Sequence, residues 1–99
     1  MRIIARRTLR EFWERRGRGD AEQPLRAWFA EASRATWRTP SDVKASYRSV
    51  SFVGKDRVVF NAGGNKYRLV VAVKYSAHIV FIRFVGTHQD YDEIDAGEV

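Results

Sequence analysis

Cysteine is absent from this 99-residue chain. That absence excludes disulfide scaffolds and thiolate metal sites, and it suits a reducing compartment. No apolar run approaches the roughly 20 residues of a membrane span. The apolar part of Met1-Arg2-Ile3-Ile4-Ala5-Arg6-Arg7 is too short for a signal peptide, so the expected location is the cytoplasm, with no membrane partner. Histidine is scarce: His78 and His88 stand far apart, with no His-x-x-x-His spacing or closed set of ligands. No metal and no cofactor is therefore expected. Internal repeats, low-complexity segments and interdomain linkers are also missing, which predicts a single domain over residues 1–99. The two prolines, Pro24 and Pro40, stand where helices are expected to start or break.

What is present is apolar and basic. With 44% hydrophobic and 13% aromatic residues, a chain of this length can bury one core, not two. The formal net charge is +6, with a pI near 10.2, and favours a polyanionic or acidic partner through long-range attraction. Its distribution says more than its sum. Residues 55–83 carry Lys55, Arg57, Lys66, Arg68, Lys74 and Arg83 against Asp56 alone, whereas from Asp90 onward there are only acids. Solubility alone is the bland explanation of such a charge.

The pattern predicts an α+β fold. Arg2-Ile3-Ile4-Ala5 reads as a short strand. Thr8 with Glu11 makes a capping box for a helix bearing Leu9, Phe12 and Trp13 on one face. Gly17-Arg18-Gly19 ends it. Asp20 is the expected cap of a second helix, with Pro24 in its first turn and Leu25, Trp28, Phe29, Ala32 and Thr36 at helical spacing. Ser41 or Asp42 is expected to cap a further turn through Val43, Lys44 and Tyr47, followed by a β-like stretch, Ser49 to Val53. Two antiparallel helices then pack their aromatic stripes on a small antiparallel sheet, a short N-terminal strand plus a three-stranded C-terminal meander.

From Arg57 the pattern is strand, turn, strand, turn, strand. Gly63-Gly64 supplies positive backbone dihedrals for one tight hairpin, and Ser76-Ala77 a second short turn. Pairing Ala62 with Asn65 places Phe60 opposite Tyr67, Val58 opposite Leu69, Asn61 opposite Lys66 and Val59 opposite Arg68. Pairing Tyr75 with His78 places Val73 opposite Val80, Val71 opposite Ile82, Leu69 opposite Phe84 and Tyr67 opposite Gly86. Both registers agree on one apolar face: Val58, Phe60, Tyr67, Leu69, Val71, Val73, Val80, Ile82 and Phe84. The other carries Arg57, Lys66, Arg68, Lys74 and Arg83 among Val59, Val70, Phe81 and Val85. Like charges gathered on one face repel unless an anion or carboxylate offsets them. A solvated face would more often mix both signs.

Gly63-Gly64-Asn65-Lys66 lacks the spacing of a phosphate loop and has no following helix, so it reads as a hairpin turn. His88 with Tyr91 and Asp90 or Asp92 is the one cluster able to move protons near neutral pH. A histidine in a polar loop is ordinarily just a surface residue. Here, however, Gly86-Thr87 ends the last strand beside Lys66, so acid-base groups border fixed positive charge. Phosphodiester chemistry needs that pairing, with cations placed where charge grows on the phosphate oxygens. The acidic end from Asp90 to Glu98 reads either as a frayed terminus or as a segment that folds back and screens the basic face.

Two strand motifs go further. Val59-Phe60-Asn61-Ala62-Gly63-Gly64-Asn65-Lys66-Tyr67-Arg68-Leu69-Val70-Val71 and Ile82-Arg83-Phe84-Val85-Gly86-Thr87-His88 with Asp90-Tyr91-Asp92 resemble the HigB toxins of bacterial type II toxin–antitoxin systems. The opening helices, with Trp28, and Trp37 before Thr39-Pro40-Ser41-Asp42-Val43-Lys44, are similar as well. The resemblance covers nearly the whole chain and implies the RelE/ParE-like fold, a small antiparallel sheet packed by two N-terminal helices. It implies an endoribonuclease that cleaves translated message in the ribosome. It also implies neutralisation by a HigA antitoxin with a helix-turn-helix domain, and contact with operator DNA through that complex. This group has no fixed catalytic set. The matching positions imply Lys66, Arg68, His88 and Tyr91 as catalytic residues, with roles open, and Arg57, Lys74 and Arg83 as RNA contacts. The expected reaction is metal-independent attack by the RNA 2′-hydroxyl. A gyrase poison of the ParE kind and an inactive binding module are the alternatives the same fold allows.

Overall fold

The computed structural model describes all of residues 1–99. Its elements are β1 (Arg2–Ile4), α1 (Arg6–Trp13), α2 (Glu22–Arg34), α3 (Pro40–Ser46), β2 (Ser51–Val53), β3 (Arg57–Ala62), β4 (Tyr67–Lys74), β5 (Ile79–Thr87) and α4 (His88–Asp92). The fold is α+β, as the hydropathy pattern predicts. The sheet is five-stranded, in the order β1-β5-β4-β3-β2. It is mixed where a purely antiparallel sheet is expected, because β1 lies parallel to β5, with Arg2 opposite Ile79. The intervening helices carry the chain across the sheet, which a parallel pair requires. No helix is long and apolar enough to cross a membrane.

Helix boundaries depart from the expected caps. α1 begins after Ala5 with no side-chain cap, so Thr8 lies inside its first turn, and Glu11 pairs instead with Arg7 at 2.9 Å. Asp20 does not cap α2. It stands in a 3-10 turn, Gly19–Ala21, and its carboxylate faces the sheet. α2 ends at Arg34, leaving Thr36 outside it. Thr39, not Ser41 or Asp42, caps α3, with Asp42 returning the bond as the third helical residue. Pro40 follows the cap, where the lost N–H costs nothing.

The helices cover one face of the sheet. Leu9, Phe12, Trp13, Leu25, Trp28 and Val43 are buried against Val58, Phe60, Tyr67, Leu69, Val71, Val73 and Val80. Phe12 meets Tyr67 edge-on, and Trp28 meets Phe60 likewise, each pair at 5.4 Å between ring centres. These aromatic contacts add to the area they bury.

Both hairpins differ from the expected registers. In the first, Ala62 pairs with Tyr67, Phe60 with Leu69 and Val59 with Val70. The connection is thus Gly63–Lys66, two residues longer than expected. A shift by two preserves which side chains face the helices. The second follows expectation from Lys74–Ile79 to Val71–Ile82. A bulge then leaves Arg83 unpaired, so that Val70 pairs with Phe84, Leu69 with Val85, Arg68 with Gly86 and Tyr67 with Thr87. One extra residue reverses the faces beyond it. Val85, expected outside, packs on the helix side, and Phe84, expected in the core, joins a second cluster with Val59, Val70 and Ala96 on the outer face.

Candidate active site

The Gly63–Lys66 turn organises one end of the sheet. Gly63 and Gly64 have φ of 61° and 69°, values that favour glycine. The turn's carbonyls then point toward two of the residues singled out above. Asn65 O accepts from Arg68 Nη1 at 3.0 Å, and Tyr67 O from the same nitrogen at 3.4 Å. Lys66 O accepts from the His88 backbone N–H at 3.2 Å. Both Arg68 bonds use Nη1, so the other guanidinium nitrogens of this half-buried side chain keep their donors for a ligand.

His88 opens α4 rather than lying in a loop. Thr87 caps that helix: its hydroxyl accepts from Asp90 N at 3.0 Å, and Asp90 Oδ2 accepts from Thr87 N at 3.1 Å. A cap of this kind contributes about 1 kcal/mol. Hydrogen bonds from Thr87, with the charges of Arg18 and Arg15 nearby, hold the Asp90 carboxyl below the usual aspartate range. One turn on, Asp92 Oδ2 lies 3.3 Å from His88 Nδ1. The two side chains are thus neighbours one helical turn apart, both more than half exposed. Tyr91 is half-buried against the Val59–Val70–Ala96 cluster, so its ring is part of the packing.

Gly86 makes this approach feasible. A Cβ at that position would stand 2.7 Å from Phe84 Cζ and 2.9 Å from Asp90 Cβ. Only glycine lets the end of β5 run between Phe84 and α4.

Lys66 is not a free cation. Its ammonium donates to Asp20 Oδ2 while the Tyr67 hydroxyl donates to Asp20 Oδ1. These bonds lower the Asp20 carboxyl below its ordinary range, and the Asp20 carboxylate raises Lys66. Burial, followed by Asp20, raises the Tyr67 phenol, which stays protonated and donating.

The other basic residues lie elsewhere. Arg57 bonds Asp56 at 2.6 Å and the Val99 carbonyl at 2.9 and 2.6 Å. Arg83, in the bulge, reaches the same carbonyl at 3.2 Å. The acidic end thus folds back, burying Ala96 against the outer face of the sheet. Lys74 is exposed at the opposite end of β4, about 23 Å from Tyr67 at the usual strand rise. A shallow cavity of about 380 Å³, lined by Pro40, Phe52, Val58 and Tyr75 among others, also lies toward that far end. Sequence reasoning missed Asp20, Arg15 and Arg18 as neighbours of the site. Nothing local signals a contact between residues 46 positions apart.

One end of the sheet therefore carries a half-free guanidinium, an imidazole with a carboxylate beside it, and an ammonium paired with Asp20. The surface is open, which suits a chain-like ligand better than a small enclosed one. Comparison with known proteins points the same way. Residues 21–94 match the family described as HigB_toxin, RelE-like toxic component of a toxin-antitoxin system. The chain is 31% identical over 94 residues to the mRNA interferase toxin HigB of Escherichia coli (strain K12), an alignment covering 93% of this chain and 88% of that relative. The mRNA interferase HigB of Shigella flexneri matches with the same identity and coverage. By both measures, the chain belongs to the HigB toxin family.

Proposed function

We propose that residues 1–99 form one toxin domain acting in the cytoplasm as an mRNA interferase, a metal-independent endoribonuclease that cuts translated message on the ribosome. The observation that carries this reading is that the Arg68 guanidinium and the His88 backbone N–H both bond to carbonyls of one turn. The 31% identical relatives, known as mRNA interferases, support the same activity.

His88 Nε2 takes the proton of an RNA 2′-hydroxyl, whose oxygen attacks the adjacent phosphorus. Arg68 stabilises the negative charge gathering on the non-bridging oxygens. The bond to the 5′-oxygen breaks as that oxygen takes a proton from solvent, leaving a 2′,3′-cyclic phosphate and a 5′-hydroxyl. The nucleophile belongs to the substrate, so DNA, lacking it, is not cut. His88 is favoured over Tyr91 as the base because its ring is more than half exposed with the Asp92 carboxylate beside it, while Tyr91 is packed. Arg57, Arg83 and Lys74 are RNA contacts outside the reacting centre. A HigA-like helix-turn-helix antitoxin neutralises the toxin and brings it to operator DNA.

The test is brief induction in cells, with message ends mapped for the wild type, Arg68→Ala and His88→Ala. Cleavage within coding sequences, suppressed by antitoxin and lowered about 10²-fold by either substitution, is expected. Undiminished cleavage by both variants would sink the assignment. Intact message with an induced DNA-damage response would favour a gyrase poison.

A further inference from the structure

The Asp20 carboxylate has no part in the reaction just described, yet both its oxygens are engaged across the fold. Asp20 sits in the connector before α2, next to Ala21, which is fully buried. Its acceptors take the Lys66 ammonium and the Tyr67 hydroxyl. The Tyr67 ring is itself completely buried and packs against Phe12, so its hydroxyl is a rigid post.

The Gly63–Lys66 turn needs such an anchor. It lies outside the strand ladder, two of its residues have no side chain, and its own closing bond, Lys66 N to Gly63 O, is long at 3.3 Å. The carbonyls of Asn65 and Lys66 nevertheless have to hold Arg68 and His88. A solvent-exposed ion pair contributes little to stability. Its value here is geometric, because small misplacement of catalytic groups is costly in rate.

We propose that Asp20 is a positioning residue: through Lys66 and Tyr67 it tethers the Gly63–Lys66 turn and thereby sets Arg68 and His88 around the scissile phosphate. The proposal rests on the ribonuclease reading and reassigns Lys66 from catalytic residue to tether.

The test compares Asp20→Ala, Lys66→Ala and the double variant in single-turnover cleavage of a defined message by purified toxin in a cell-free translation mixture. Each single change should lower the rate constant about tenfold at saturating toxin, with little change in apparent affinity. The double variant should be no worse than either single, because both break the same tether. Cleavage by Asp20→Ala at or above the wild-type rate, as a freed Lys66 serving the phosphate would give, overturns the proposal. Multiplying losses in the double variant overturn it too.

A second readout needs no activity. In folded Asp20→Ala and Lys66→Ala, the amide and ring NMR signals of His88 should move while those of His78, at the other end of the sheet, stay fixed; a stationary His88 counts against the tether. Asp20→Asn, which keeps one acceptor, carries the same test if the alanine variant does not fold, with a smaller displacement of His88 expected. Should the wild-type toxin leave message intact, the ribonuclease reading fails by itself, and the NMR comparison still decides whether Asp20 holds the turn.

Discussion

The two ends of β4 hold similar residues and differ in what they can do. Each is joined to its neighbour by a four-residue connection, and each has a lysine and a histidine close by. At the Gly63–Lys66 end, the lysine is fixed by Asp20, and the turn's carbonyls receive Arg68 and the His88 amide. At the Tyr75–His78 end, Lys74 is exposed and His78 takes a left-handed conformation with φ of 58°. The His78 carbonyl there receives the Arg2 N–H at 2.8 Å, which docks β1. One end is a hub on which the Arg68 guanidinium and the His88 amide converge, and the other is a joint between strands. Residue type alone does not make the distinction; it depends on which backbone acceptors meet which side chains.

The sharpest way to test that contrast is to remove one histidine from each end. His88→Ala should lower message cleavage about 10²-fold, whereas His78→Asn, which tolerates the left-handed backbone, should leave it within about twofold. Equal losses would erase the distinction between hub and joint; matched initial cleavage rates and melting curves check it.

A smaller effect is expected at Gly86. Gly86→Ala pushes a methyl group into Phe84 and Asp90, and overpacking of this kind costs about 1–3 kcal/mol. Denaturant unfolding should register that loss, together with an activity decrease as α4 moves from the turn. Unchanged stability would mean that β5 has room there.

The smallest effect is on pH. The Asp90 carboxyl is held below its ordinary value of 3.8 in the folded protein. Its contribution to stability is therefore fully present above that value and is lost as pH falls through it toward the lower folded pKa. An acid titration followed by amide NMR should displace Thr87 and Asp90 together in that range, while Ser76 in the opposite turn moves less. Simultaneous, equal displacement at both ends would indicate global unfolding instead.

Much of the fold was legible because alternation carries it. Val58, Phe60, Tyr67, Leu69, Val71, Val73 and Val80 all face the helices as their parity predicts, and a two-residue error in the first hairpin left that assignment intact. The bulge at Arg83 was not legible, since a strict period of two places Phe84 inside and Val85 outside, the reverse of what is found. Caps were readable as residue types but not as positions: Thr39 and Thr87 cap helices, whereas Thr8 and Asp20 do not. Local propensity identifies a group that can cap, and tertiary contacts decide whether it is used elsewhere. Of the two readings of the acidic end, folding back is the one observed, through Ala96 and the Val99 carbonyl.

The candidate site divides along the same line. Arg68 beside the Gly-Gly turn and His88 just beyond the last strand were visible in the sequence, because hairpin connectivity alone brings the ends of neighbouring strands together. Composition likewise determined that this chain would carry an excess of positive charge and present no thiol chemistry. Only the tertiary structure decided that Lys66 spends its charge on Asp20, that Arg57 and Arg83 hold the chain's last residue, and that His88 faces Asp92. Most of these partners are far apart in sequence or depend on a helix that starts only after Thr87. Periodicity says which face a side chain takes, while the identity of its partner depends on how separate segments meet after the core has packed.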